Sequence, residues 1–232
     1  MDRERYENQK HDILASDASL MSATLYLFDL DGTLSDSLLG IRRCLDYALE
    51  RCGYSAVAES DISHLIGAPL DQVLRSIVND SSPDRIAALV SKYRERYAEV
   101  GYAENEIYPG VADALRTLHS ANIPMAICTS KRADLAELIV KRFDIRQYFR
   151  FISGDIGVQK SDRIAALVKD GVIPKSSMMI GDRAVDILAA KANGLHSAGV
   201  LWGYGSLAEL QAVCPDAMLE YPHELLALAK VA

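Results

Sequence analysis

Four short stretches of this 232-residue chain carry side chains whose types and spacing suit chemistry. In Phe28-Asp29-Leu30-Asp31-Gly32-Thr33-Leu34 an apolar run leads straight into two carboxylates one residue apart, then into a turn glycine. On an extended strand Asp29 and Asp31 face the same side. Two carboxylates at the end of a buried strand repel each other and resist desolvation, so the arrangement calls for a cation or a shared proton. An Asp-Gly turn accounts for Asp31 and Gly32 alone. The run Met125-Ala126-Ile127-Cys128 ends in the hydroxyls of Thr129 and Ser130 and then Lys131, a position that by itself suits a helix N-cap. Lys160, in Gly157-Val158-Gln159-Lys160-Ser161-Asp162, stands before another helical pattern, where a lone ammonium is ordinarily a surface group. Gly181-Asp182-Arg183-Ala184-Val185-Asp186 follows the apolar run Met178 to Ile180, and two aspartates four apart there also suit a solvated helix start.

The elements that must position these groups are legible from the apolar runs. Leu25 to Phe28, Met125 to Cys128, Phe149 to Ile152, Met178 to Ile180, Ser197 to Leu201 and a weaker Ala217 to Leu219 read as short strands. Helical patterns lie near 111–121, 132–142, 161–170, 184–193, 206–213 and 223–230, several closed by Asn122, Gly171 or Gly194. This alternation predicts an α/β fold with a doubly wound parallel sheet, whose edge gathers all four stretches. Between Leu34 and Tyr108 the periodicity is helical throughout. Ile41, Leu45, Ala48, Leu49 and Cys52 share one helix face, and Ile86, Leu89, Val90, Tyr93 and Tyr97 another. The expected organisation is a leader over 1–22, an α/β core from 23–35 and 108–232, and a helical cap over 36–107 above the carboxyl ends of the strands. The leader has alternating charges and no apolar stretch, and Met21 is an alternative start.

The first stretch resembles the opening signature of the haloacid dehalogenase superfamily, in its phosphatase branch, and the others are similar to the remaining signatures in order. The resemblance spans residues 28 to 186. It implies that Asp29 is a nucleophile attacking phosphorus and that Asp31 is a general acid and base, protonating the leaving oxygen and then activating water. Thr129 is implied as the phosphate-binding hydroxyl, with Ser130 the alternative one register away, and the helix starting near Arg132 adds backbone N–H groups. Lys160 is implied to neutralise nucleophile and phosphate, although Ser161 stands where many relatives have proline. The implied cofactor is Mg²⁺, held by Asp29, the Asp31 backbone carbonyl and Asp182, with Asp186 orienting Lys160 or a metal-bound water.

The insertion resembles the cap of the phosphoglycolate phosphatase and β-phosphoglucomutase group. There Ser63 to Leu70 is similar to a specificity loop, or is a helix–helix turn around Gly67 and Pro69. His64 and Arg75 are within the segment that could meet substrate. Residues 199–206 read as a tight strand-to-helix loop with Ser206 as N-cap. Closure of the cap is expected because water must be excluded from the first step and admitted for the second.

Composition limits the partners. Twenty-five Lys and Arg stand against 32 Asp and Glu, and the net charge of -7 offers no sequence-wide attraction to nucleic acid or anionic lipid. Cys44, Cys52, Cys128 and Cys214 have no CxxC or Cys/His spacing, so they read as reduced thiols of a cytoplasmic protein. The expected partner is a small phosphorylated metabolite, and the expected state a monomer or homodimer. Hydrolysis of a small monoester such as 2-phosphoglycolate or a nucleoside monophosphate leads; a phosphosugar mutase, a dehalogenase and a catalytically silent phosphate-binding protein are the alternatives.

Overall fold

The computed structural model describes residues 24–57 and 62–230. The leader expected over 1–22 lies outside them. After β1 (Tyr26–Phe28) the chain makes a turn into β2 (Ser35–Asp36) and then helices α1 (Leu38–Arg51), α2 (Leu70–Val78) and α3 (Pro83–Glu99), returning through β3 (Glu106–Ile107). The rest alternates: α4 (Val111–Ser120), β4 (Met125–Thr129), α5 (Ala133–Arg142), β5 (Phe149–Gly154), α6 (Lys160–Lys169), β6 (Met178–Gly181), α7 (Ala184–Ala192), β7 (His196–Val200), α8 (Leu207–Ala212) and β8 (Ala217–Leu219).

Six strands form one parallel sheet in the order β5-β4-β1-β6-β7-β8. The unbroken apolar runs of the central strands β4, β1 and β6 suit a sheet covered on both faces. Tyr26, Phe28, Met125, Ile127, Met178 and Ile180 face one way, with Leu115 and Leu118 of α4 and Ile139 of α5. Leu25, Leu27, Ala126, Cys128 and Met179 face the other, with Ile164 of α6 and Ala190 of α7. The chain runs outward from β1 through β4 to β5 and then crosses to β6 on the far side of β1. The crevice beyond the carboxyl ends of β1 and β6 is therefore the topological switch point, where such sheets bind ligands.

The three inserted helices have their own core of Leu45, Ala48, Leu49, Ile62, Val73, Leu74, Ile86 and Leu89. Tyr97, predicted on the same face, is buried outside that cluster. The interval is not helical throughout: β2 and β3 pair antiparallel, Ser35 with Ile107 and Asp36 with Glu106, where the chain leaves and re-enters the sheet. Two residues per strand are too few to show a period. At the carboxyl end, Pro222–Lys230 is a 3₁₀ helix, and Leu225 and Leu228, three apart and both buried, match its three-residue repeat. No helix among the described residues is long and apolar enough to cross a membrane.

Candidate active site

The site begins where β1 ends. The Asp29 N–H continues the ladder to Ile180 O at 2.9 Å. Its Oδ1 accepts from the Leu30 N–H at 2.8 Å, and its Oδ2 lies 2.9 Å from Lys160 Nζ. The chain then folds back, with Leu30 O accepting from the N–H groups of Leu34 and Ser35 at 2.9 and 3.1 Å. Gly32 takes φ +83° in this turn, and a Cβ on it would stand 2.2 Å from Asp182 Oδ2. Glycine here serves both the left-handed turn and the approach of that carboxylate.

Asp182 follows β6 directly and is fully buried. It accepts from Thr33 Oγ1 at 3.0 Å and from the Tyr204 N–H at 2.9 Å. No cation among the described residues pairs with it. Burial, then the charges of Asp186 and Asp29, push its pKa up to about 7. Asp186, also fully buried, accepts from the Arg183 N–H at 3.1 Å, which caps α7, and forms an ion pair with Lys160. Burial drives the Asp186 pKa upward while Lys160 opposes it. Gly181 has no Cβ for a reason seen only here, since one would meet the Asp186 carboxylate carbon at 2.2 Å. Lys160 opens α6 and is 3% exposed. Burial disfavours its charge, but Asp186 and Asp29 outweigh that and hold its pKa above the ordinary lysine value.

At the end of β4, Thr129 is buried and its Oγ1 accepts from the Lys131 N–H at 3.3 Å. Thr129 and Ser130 line a cleft of about 380 Å³, mouth included, with Asp29, Asp31, Lys131 and Lys160; Ile66, Gly67, Arg183, Val185 and Tyr204 complete its wall. The seven residues predicted for the site thus converge, with Asp182 and Asp186 beneath the cleft. Lys131, to which the sequence reading attached no role, lies 2.7 Å from Asp31 Oδ2 and donates to the hydroxyl of Tyr97 on α3. Asp31 and then Tyr97 raise its pKa against the effect of burial.

Three more contributors escaped the sequence reading. Thr33 and Tyr204 hydrogen-bond Asp182, while Arg183 pairs with Glu209 at 2.9 Å and donates to Ile66 O. The glycines flanking Tyr204 were the available signal: a Cβ on Gly203 or Gly205 would lie 2.1 Å from Gly32 O or 1.7 Å from Asp182 O. The loop is tight because it wraps Asp182. Ser206 does cap α8, accepting from the Glu209 N–H at 3.1 Å. Ser63–Leu65 is a short 3₁₀ turn ahead of α2, and the next two residues, Ile66 and Gly67, form part of the cleft wall. Arg75 donates to Ser81 O instead of lining the cleft. The His64 side chain lies outside the described residues.

Carboxylate oxygens of Asp29, Asp182 and Asp186 come within 4.8 Å of one another. Around the cleft four carboxylates, those of Asp29, Asp31, Asp182 and Asp186, face two ammonium groups, those of Lys131 and Lys160. Two negative charges are left over, and Asp182 lacks a cationic partner. An all-oxygen donor set with this excess fits a hard divalent cation such as Mg²⁺. Against the expected set of Asp29, the Asp31 carbonyl and Asp182, the three-carboxylate cluster also includes Asp186, whose pairing with Lys160 meets part of its charge.

A 3-2-1-4-5-6 parallel sheet with acidic and cationic groups gathered at its switch point defines a doubly wound α/β protein with a charged ligand crevice. The family model described as "Haloacid dehalogenase-like hydrolase" matches residues 26–200, and the chain belongs to that family. It is 36% identical over 191 residues to the tyrosine-protein kinase PtkA of Mycobacterium tuberculosis, covering 79% of this chain and 64% of that protein. It therefore spans a little under two thirds of that relative. A 5'-nucleotidase of Pseudomonas aeruginosa is 34% identical over 88% of this chain and 93% of its own length. A phosphoglycolate phosphatase of Vibrio parahaemolyticus is 33% identical, with coverage of 89% and 96%. Among solved structures, a haloacid dehalogenase-like hydrolase of Streptococcus pneumoniae superposes with a TM-score of 0.81 at 31% identity, covering 89% of this chain and 98% of that one.

Proposed function

We propose that this chain is a Mg²⁺-dependent phosphatase that hydrolyses a small phosphate monoester through an aspartyl phosphate on Asp29. The observation that carries the reading is the position of Asp29: at the switch point, in the cleft wall, with Oδ2 2.9 Å from the buried Lys160 ammonium and beside the unpaired Asp182. An Asp29 oxygen attacks phosphorus, the bond to the alcohol oxygen breaks, and that oxygen takes a proton from Asp31. The Asp31 carboxylate then removes a proton from water, whose oxygen attacks the phosphorus of the aspartyl phosphate and frees Asp29 and inorganic phosphate. Lys160 offsets the charge that builds where an anionic nucleophile meets an anionic substrate. Thr129, or Ser130 beside it, donates to a phosphoryl oxygen. Asp29, the Asp31 carbonyl and Asp182, with Asp186 behind, would hold Mg²⁺, which would supply the remaining positive charge when bound. The relatives named as a phosphoglycolate phosphatase and a 5'-nucleotidase support a monoester as substrate.

The test is phosphate release from a panel of monoesters, with and without Mg²⁺, by the native chain and Asp29→Asn. Metal-dependent release that disappears in the variant supports the reading. Release that survives Asp29→Asn excludes Asp29 as nucleophile.

A further inference from the structure

Beside the catalytic cleft, and sharing Ile66 and Gly67 with it, lies a second hollow of about 430 Å³, mouth included. Ile41 and Leu45 of α1, Leu65 of the connection to α2, Leu70 at the start of α2, and Tyr93 of α3 line its walls. All of these are apolar except for the one tyrosine hydroxyl. Leu45 is a core residue, but Ile41, Leu65, Leu70 and Tyr93 are only half-buried, so their apolar faces stand open toward the hollow. Apolar surface arranged as a concave wall and left uncovered marks a binding site more often than a packing fault. Its place against the cleft, with Ile66 and Gly67 lining both, points to the part of the substrate beyond its phosphate as the occupant.

The cleft's cations lead to the same conclusion. Lys160 is engaged by Asp29 and Asp186, Lys131 by Asp31, and Arg183 by Glu209. None of the three is left to meet a second anionic group on the substrate. A leaving group with its own carboxylate must break one of these pairs or stay unpaired, at a desolvation cost. An uncharged ring incurs no such cost and gains by burial. Tyr93, stacked on Tyr97 at 5.6 Å between ring centroids, offers that ring an aromatic wall.

We propose that the alcohol released is uncharged and apolar: an aromatic ring on a short primary-alcohol arm, with the phosphate at Asp29 and the ring in the hollow between α1 and α3. This rests on the phosphatase reading and adds the chemical class of its leaving group.

The experiment compares kcat/KM for benzyl phosphate, ethyl phosphate and 2-phosphoglycolate on the full chain with Mg²⁺. All three release a primary alcohol, so differences report binding of the group beyond it. Benzyl phosphate should exceed ethyl phosphate by about 10- to 100-fold. Ala68→Trp, which fills the rim of the hollow, and Ile41→Asn, which makes its wall polar, should each bring the benzyl-to-ethyl ratio toward one. A native ratio near one, a ratio unmoved by both variants, or 2-phosphoglycolate ahead of benzyl phosphate overturns the inference and leaves the phosphatase standing. No phosphate from any of the three esters or from the wider panel overturns both.

Discussion

Asp182→Asn should stabilise the metal-free protein at pH 8 while removing its response to Mg²⁺. The native carboxylate is fully buried, is held by Thr33 and the Tyr204 N–H, and meets no described cation. Burial, followed by the charges of Asp186 and Asp29, moves its pKa from 3.8 to about 7. Because the folded value lies above the unfolded one, the folded chain holds this proton more tightly. The stability linked to it is fully present below pH 3.8 and is lost as the pH rises through about 7. A shift of about three units corresponds to on the order of 4 kcal/mol once the group is fully ionised. The amide has the same shape, keeps an oxygen acceptor and never ionises. Urea unfolding in EDTA should therefore show the native chain losing stability between pH 5 and pH 8, and the variant losing much less. Adding Mg²⁺ at pH 8 should stabilise the native chain and not the variant and so close most of the gap, because a ligand at 100 times its Kd stabilises by about 2.7 kcal/mol. The same addition at pH 5 should do little for either protein. Parallel stability curves for the two proteins from pH 5 to 8 in EDTA would refute the reasoning.

Lys160→Met leaves Asp29 and Asp186 without their shared cation, so unfolding free energy should fall by about 3–5 kcal/mol and phosphate release by at least about 100-fold, measured by denaturation and steady-state kinetics. Gly205→Ala places a Cβ 1.7 Å from Asp182 O, so the loop must shift and withdraw the Tyr204 N–H; Mg²⁺ affinity, read by thermal shift against metal concentration, should drop about tenfold or more. Lys131→Met, which strips Asp31 of its ammonium partner, should lower kcat by about tenfold or more, whereas Tyr97→Phe keeps the ring near Lys131 and should change kcat by less than about threefold. Equal losses in the last two variants would mean that the Asp31 pairing does not matter to turnover.

The legible parts of this protein were those encoded within a few consecutive residues. Three of the four stretches carrying chemistry follow an unbroken apolar run, and β1, β4 and β6 end beside Asp29, Thr129 and Asp182 as those runs suggested. The helical character of the insertion was equally plain from Leu45, Ala48 and Leu49 and from Ile86 and Leu89. What escaped were contacts between distant segments. Thr33 reaches Asp182 across 149 residues, Tyr204 reaches Asp36 across 168, and Lys131 reaches Tyr97 across 34. None of these leaves a local period. Gly203 and Gly205 were visible as a tight loop, but the reason for them is Asp182 on the other side. The two-residue pairing of β2 with β3 and the 3₁₀ form of the last helix are decided by tertiary packing over too few residues for a pattern.

The hydrogen bonds divide the site into a part anchored in the sheet and a part that feels the helical insertion. Asp29, Lys160, Asp182 and Asp186 are held by one another and by Leu30, Thr33, Arg183 and Tyr204, none of them in α1 to α3. At the foot of the insertion Tyr204 also bonds Asp36 and the Ser37 N–H; beyond it, two bonds reach the helical part: Lys131 to Tyr97 of α3, and Arg183 to Ile66 O ahead of α2. Both have a charged donor, a class worth about 1.5–3 kcal/mol each, and Arg183 keeps Glu209 when its second bond breaks. Lifting the insertion away would break a few such bonds and the contacts around them. It would expose the cleft without disturbing Asp29, Lys160 or the carboxylates beneath. The 2.7 Å ion pair of Lys131 with Asp31 lies entirely on the sheet side. The proposed two-step hydrolysis would use this division: its first step would exclude water, its second admit it, with the same aspartate in register for both.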